Sequence, residues 1–305
     1  MVKTPTPGEA SAGSGEALVV AYDAYHLDDS AMEELERGMV TDLLPFRDAL
    51  PAGANGVVAL AVQPNHPYAD FGRTIEQQKF TERGEDYDFH EGMAAYEANS
   101  MFVYTVDLKD GKQRIAHCKR VVFANQQDQL DAGEPTRIEP FDDRVSSPVE
   151  EEACGLDEVL AYHGISDISR CLNVATNATT DRLEGGLEDP YTLISYKAIF
   201  ELVATNGIQF VTAYLNKYAE RSLDTIQVVN QRVLGREFHL PLGDGEYDEA
   251  YKAVVIPADA HNVDVFCKPN PENEFAMFIA PRPVPLFAAD EAGRNLIEVP
   301  VPEAA

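Results

Sequence analysis

A mixed α/β fold is predicted: a mostly antiparallel sheet with a parallel strand pair near its middle and helices on its faces. Three observations predict it. Two apolar runs, 102–107 and 114–123, flank Lys109-Asp110-Gly111-Lys112, and an Asp-Gly pair between such runs marks a β-hairpin. Further on, a strand at 171–176, a helix, a strand at 208–214 and a second helix follow in order, and such a crossover makes its two strands parallel neighbours. Finally, 305 residues of which 45% are hydrophobic suffice for one large buried core.

The elements are read in chain order. Residues 1–16 are rich in Pro, Gly, Ser and Ala and are expected to form a disordered tail. Residues 18–22 read as a strand, and Ser30 with Glu33 has the capping-box spacing for a helix reaching Leu43. Residues 57–62 form a short apolar strand. Residues 125–152 are acidic and aperiodic, which predicts a surface insertion ahead of a helix near 156–163.

Asp189 and Pro190 supply an N-cap and a first-turn proline for a helix whose inward face carries Leu193, Tyr196, Ile199, Phe200 and Val203, stopped by Asn206-Gly207. The strand at 208–214 follows, and Asn216 caps a helix with Leu223 and Ile226 inward. Strands at 252–256 and 263–266 return to the sheet, and residues 281–305 read as an extended, proline-rich tail. Residues 17–280 are thus expected to be a single domain.

Composition excludes several functions. A formal net charge of −28 repels phosphodiester backbones, so nucleic acid is not an expected partner. Cys118, Cys154, Cys171 and Cys267 have no CxxC spacing, and scattered His and Asp give no metal cluster. No signal-peptide pattern opens the chain and no apolar run is long enough to span a bilayer, which predicts a cytoplasmic protein without membrane insertion. The scattered histidines give no nucleophile triad around Ser169.

Several short motifs occur in a telling order. Tyr96-Glu97-Ala98-Asn99-Ser100-Met101-Phe102, then Arg120-Val121-Val122, then Asp167-Ile168-Ser169-Arg170-Cys171-Leu172 precede Arg182-Leu183-Glu184-Gly185-Gly186, a capped helix, and a strand ending in Asn216. This series resembles the GNAT acyltransferase core over roughly residues 80–240, and within that superfamily the acyl-homoserine-lactone synthases and long-chain N-acyl amino acid synthases. The acidic-x-acidic pair of the lactone synthases has no clean counterpart here. Leu223 stands where many GNAT enzymes carry a tyrosine that protonates the leaving thiolate, which leaves Tyr214, Tyr218 or water.

The resemblance implies acyl transfer from a thioester, acyl-CoA or acyl carrier protein, to the amine of an amino acid or related metabolite, with no tightly bound cofactor. Glu97 or Asp167 would be the base, Arg120 and Arg170 would clamp the acceptor's carboxylate, and backbone N–H groups at a bulge or splay of 172–176 from 208–214 would meet the oxyanion. Ser100, Ser169, Leu172, Val174, Tyr214 and Asn216 would line the substrate site. Arg182, Gly185 and Gly186 would face the coenzyme A pyrophosphate at a helix N-terminus.

Other readings stand beside these. Asp167 and Arg170 equally suit a surface ion pair at a strand edge, and Arg120 equally suits a charged hairpin edge. Lys109, Lys112, Arg114, Lys119 and Arg120 form the densest basic segment, which suits either an acidic carrier protein or plain solubility. A catalytically silent GNAT-like module that binds a small molecule or a protein is the alternative to an enzyme, and a plain acetyltransferase using acetyl-CoA is a third reading.

Overall fold

In the computed structural model the described residues are 18–48, 50, 56–82, 88–94, 96–109, 113–123, 170–179, 190–233, 237–239, 250–289 and 295–298. The tail at 1–16, the insertion at 125–152 and the helix expected at 156–163 lie outside them. Ten strands form one sheet: β1 Val57–Val62, β2 Ser100–Asp107, β3 Arg114–Phe123, β4 Cys171–Thr179, β5 Phe210–Asn216, β6 Arg232–Val233, β7 Phe238–His239, β8 Ala250–Pro257, β9 Leu286–Ala289 and β10 Asn295–Glu298. Their order is β10-β9-β1-β2-β3-β4-β5-β8-β6, with β7 also on β8. Neighbours are antiparallel except β4–β5 and β1–β9. This is the expected fold class, with the crossover pair β4–β5 in the middle.

Helices cover both faces: α1 Asp29–Asp48, α2 Tyr68–Glu82, α3 Phe89–Met93, α4 Pro190–Thr205, α5 Lys217–Thr225, α6 Ala260–Cys267 and α7 Glu274–Ile279. β1 is buried on both sides because alternate residues serve two cores. Val58, Leu60 and Val62 pack with α1 and α2, whereas Val57, Ala59 and Ala61 pack with α4. Helix α4, between two layers, is buried nearly all round, as its apolar sequence requires.

Four expectations are corrected. Residues 18–22 are not a strand; a 3₁₀ turn spans Tyr22–Tyr25, held where Thr74 Oγ1 donates to the Ala24 carbonyl and accepts from the Leu27 N–H. Helix α1 is capped by Asp28, whose side chain accepts from the Ala31 N–H, rather than by Ser30. Residues 263–266 are helical, because Asp259 caps α6 through the Asn262 N–H and Val265 and Phe266 turn into the core, overriding the strand preference of valine. The segment from Pro281 supplies β9 and β10 to one sheet edge instead of a free tail.

Helix α2 was not anticipated. His66 Nδ1 accepts from the Tyr68 N–H and Pro67 precedes the first turn, a helix start in unfamiliar residues. Gly72 lets this helix lie directly on β2. A Cβ there would sit 2.6 Å from both Phe102 Cε1 and the Tyr104 hydroxyl. Gly72→Ala is therefore expected to destabilise the protein by about 1–3 kcal/mol despite its better helix propensity, read as a lower midpoint in urea unfolding.

Candidate active site

Strand β3 carries Arg120 on the face covered by α2, directly opposite Thr176 of β4. Its guanidinium is wholly buried and engages two carboxylates. Nε and Nη2 donate to Glu76 Oε2 at 2.9 and 2.7 Å, while Nη1 donates to Glu97 Oε1 at 2.9 Å. A second buried arginine, Arg73, one turn before Glu76 on α2, donates from Nη2 to Glu97 Oε2 at 2.6 Å and from Nη1 to Asp70 at 2.6 Å. The Tyr25 hydroxyl donates to Glu97 in a short hydrogen bond and accepts from Arg120 Nη2 at 3.1 Å. Phe102 lies beneath both guanidinium groups, 4.7 Å from Arg120 and 5.6 Å from Arg73.

Two positive and two negative side chains balance in this interior, with Asp70 at the rim. Balance matters because an isolated charge here would cost several kcal/mol. The two glutamates differ. Burial pushes the Glu97 carboxyl up, but Arg120, Arg73 and the Tyr25 hydroxyl outweigh it and bring it down to about 2. Burial raises the Glu76 carboxyl and prevails over Arg120 and the Thr176 hydroxyl.

Beside this cluster the sheet is deliberately irregular. Register passes from Val121↔Val174 to Arg120↔Thr176, so Ala175 is an extra residue, a β-bulge. The parallel ladder between β4 and β5 ends at Val174↔Ala213, although β4 stays paired to β3 as far as Thr179 and β5 to β8 as far as Asn216. The two strands therefore splay from one residue before the bulge. Upstream, Cys171, Leu172, Asn173, Thr212 and Ala213 are buried; from Val174 on, Val174, Ala175, Tyr214 and Asn216 are partly exposed, while Thr176 and Leu215 stay buried. The bulge expected in β4 is present, and the β4–β5 ladder ends beside it.

The residues named from sequence are distributed unevenly. Glu97, Arg120 and Ser100 do come together, with Ser100 Oγ donating to the Tyr96 carbonyl at 2.8 Å and 3.5 Å from Arg120 Nη1. Glu97 and Arg120 are both held by the chain's own charged groups. Glu97 holds its charge against four donated hydrogen bonds, so it is a very weak base. Arg120 donates from Nε, Nη1 and Nη2 to the chain's own carboxylates.

Arg170 does not join them. It is exposed, just before β4, six residues from Thr176, or about 20 Å at some 3.3 Å per strand residue. Leu172 is buried toward α4, Val174 and Tyr214 border the splay, and Asn216 accepts from the Tyr218 and Ala219 N–H groups as the cap of α5. Asp167, Ser169, Arg182, Gly185 and Gly186 lie outside the described residues.

Sequence reasoning missed Arg73, Glu76, Tyr25 and Thr176. The available signal was Arg73 and Glu76, three apart and set among Phe71, Gly72 and Ile75, which puts charge on the apolar face of a helix. The basic hairpin is surface only in part: Lys109 is exposed and Arg114 half-buried, and Lys112 lies outside the described residues. Lys119 and Arg120 are buried, Lys119 with its ammonium 5.1 Å from the Tyr196 ring, and β2 and β3 are interior strands with neighbours on both sides.

Among the described residues no group of three or more His, Cys, Asp or Glu is placed to hold a metal ion, and no helix is long and apolar enough to cross a membrane.

No family model matches the sequence, and no curated protein matches it. Solved structures do. The chain is similar to BjaI, a CoA-dependent acyl-homoserine lactone synthase solved with SAM and isopentyl-CoA, at 14% identity over 69% of this chain and 87% of that one, with a TM-score of 0.40. It is similar to the lactone synthase LasI at 16% identity over 68% and 92% of the two chains, with a TM-score of 0.40. It is also similar to FeeM, an N-acyl amino acid synthase from uncultured soil microbes, at 14% identity over 66% and 92%, with a TM-score of 0.38. These are proteins of the kind that the motifs resemble; at such identities the likeness says nothing of substrate.

Removing one member of the charge cluster strands its partners. Arg120→Ala is expected to cost about 3–5 kcal/mol, measured by chemical unfolding. Because Glu97 is held below its ordinary 4.5, its contribution is complete above about pH 4.5 and is lost as the pH falls toward 2. Glu97→Gln should remove that part of the acid slope, read from unfolding midpoints across this range.

Proposed function

We propose that the chain is an N-acyltransferase, taking an acyl group from a thioester at the opening between β4 and β5 and passing it to the amine of an amino acid or related metabolite. The observation that carries this reading is the splay itself: two interior neighbours stop pairing beside a bulge, and their partly exposed residues cluster there. Strand edges that diverge inside a sheet present backbone donors and acceptors without needing special side chains. An amide-bearing thioester arm can lie along such an edge like an added strand, and N–H groups at the bulge suit the developing oxyanion.

The amine nitrogen attacks the thioester carbonyl carbon, the carbon–sulfur bond breaks, and the sulfur leaves as thiolate. An α-amino group, with a reference pKa of roughly 8, must first lose a proton. With Glu97 and Glu76 tied to Arg120, that proton goes to water or to Asp167. Tyr214, half-buried on the cluster's side of β5, is the proposed donor to the thiolate, and the second proton, shed by the nitrogen once it is bonded to the carbonyl carbon, restores the Tyr214 hydroxyl. With Lys119 and Arg120 buried, the hairpin offers an acidic carrier protein fewer cations to dock on, which favours acyl-CoA, with Arg182, Gly185 and Gly186 proposed to meet its pyrophosphate.

One observation favours a second reading. Both carboxylates beside the opening are fully engaged, as they would be in a module that binds a thioester without turning it over. Purified protein incubated with acyl-CoA and acyl-carrier thioesters and pooled amino acids separates the two. New amides by mass spectrometry, with matching thiol release, are expected; thermal stabilisation by thioester without any amide would assign the binding module. In the enzyme, Tyr214→Phe should lower kcat by about a hundredfold with little change in KM.

A further inference from the structure

We infer that Thr176 is a positioning residue for acyl transfer: its hydroxyl closes a hydrogen-bonded ring that fixes the β4 bulge and, through it, the opening where the thioester is proposed to react. The inference rests on the proposed function.

A bulge has a cost. The extra residue shifts the ladder, and a backbone donor beside it must find another acceptor or stay unsatisfied in the interior. Here the Arg120 N–H donates to Thr176 Oγ1 at 3.2 Å. That oxygen's one hydrogen goes to Glu76 Oε1 in a short bond. Glu76 is in turn held by the guanidinium of Arg120, from Nε at 2.9 Å and Nη2 at 2.7 Å. The ring thus begins and ends on one residue, running from its main chain through a hydroxyl and a carboxylate to its own side chain.

Geometry makes the ring specific to the bulged register. Thr176 is opposite Arg120 only because Ala175 has been looped out. Without the extra residue, β4 beyond Val174 would present its side chains to the opposite faces of the sheet, and Thr176 would point away from Glu76. The last β4–β5 pair, Val174↔Ala213, immediately precedes this point. A hydroxyl is needed because it alone both accepts from the N–H and donates to the carboxylate; valine, of the same shape, does neither.

Three chains decide the matter: wild type, Thr176→Val and Thr176→Ser, read by steady-state kinetics and by amide hydrogen exchange at Arg120. Thr176→Val should lower kcat by about a hundredfold at nearly constant KM, as loss of an aligned oxyanion donor does. Its Arg120 amide should exchange about five to ten times faster, the worth of one net hydrogen bond. Thr176→Ser should restore both to within about threefold. Thr176→Ala gives the same readings if the valine variant does not fold.

Faster exchange with wild-type kcat would overturn the positioning role, and unchanged exchange would overturn the ring. A wild-type chain that makes no amide from any thioester would end the acyltransferase reading and this role with it. The Arg120 exchange rate would still report, separately, whether the ring holds the bulge.

Discussion

The guanidinium of Arg120 is the point on which the rest of this structure turns. It is planar, permanently charged and wholly enclosed, and only a geometry that satisfies its fork on several sides makes such burial tolerable. The 3₁₀ turn at Tyr25, helix α2 through Glu76, the turn at Glu97 and strand β4 through Thr176 each bring a polar atom to it or to its immediate partners. Four segments far apart in sequence are thereby set in register with β3. Well-packed apolar residues would give stability at least as readily. What charge adds is direction: a fork accepts carboxylates at fixed angles, and one of those carboxylates fixes the hydroxyl at the bulge.

The same economy shapes the surface. The chain has 24 Lys and Arg against 52 Asp and Glu. Five of those basic residues, Arg73, Lys119, Arg120, Lys197 and Arg282, are buried among the described residues. Arg73, Arg120 and Lys197 pair with carboxylates. Lys119 lies over Tyr196, and Arg282 donates to the Phe278 and Val57 carbonyls. Glu76, Glu97 and Asp107 are buried with these cations, so the field around the protein stays about as negative as composition implies. Long-range attraction of an acidic macromolecule is correspondingly weak.

Much of the fold was legible because it rests on local signals. The Asp-Gly hairpin, the proline-capped helix from Pro190 and the crossover from β4 to β5 each follow from residues adjacent in sequence, and each is where the pattern puts it. The failures share a cause. At 263–266 a run rich in valine suggested a strand, but a cap four residues upstream of Val263 and the packing of Phe266 decided for helix. At 18–22 an apolar run suggested a strand, but Tyr25 is drawn to Glu97, 72 residues away. Of the site, Glu97 and Arg120 were found, yet their partners were not, because what makes Arg73, Glu76 and Thr176 matter is proximity across elements. Arg170 lies apart from the cluster because its motif places it before the start of β4, at the end away from Thr176.

The opening between β4 and β5 is best understood as imposed from the β3 side. Parallel pairing is slanted and slightly weaker per residue than antiparallel pairing, so of the two ladders on β4 the one to β5 is the easier to break. β3 grips β4 on both sides of the bulge, from Phe123↔Leu172 to His117↔Thr179, and an extra residue within a gripped strand increases local twist and turns its far edge aside. β5 is held by β8, which pairs with it along its whole length, Phe210↔Pro257 to Asn216↔Tyr251. One strand bends while its neighbour cannot follow, and the gap is the difference. A buried arginine that selects the bulged register is therefore tied to the point where β4 and β5 stop pairing.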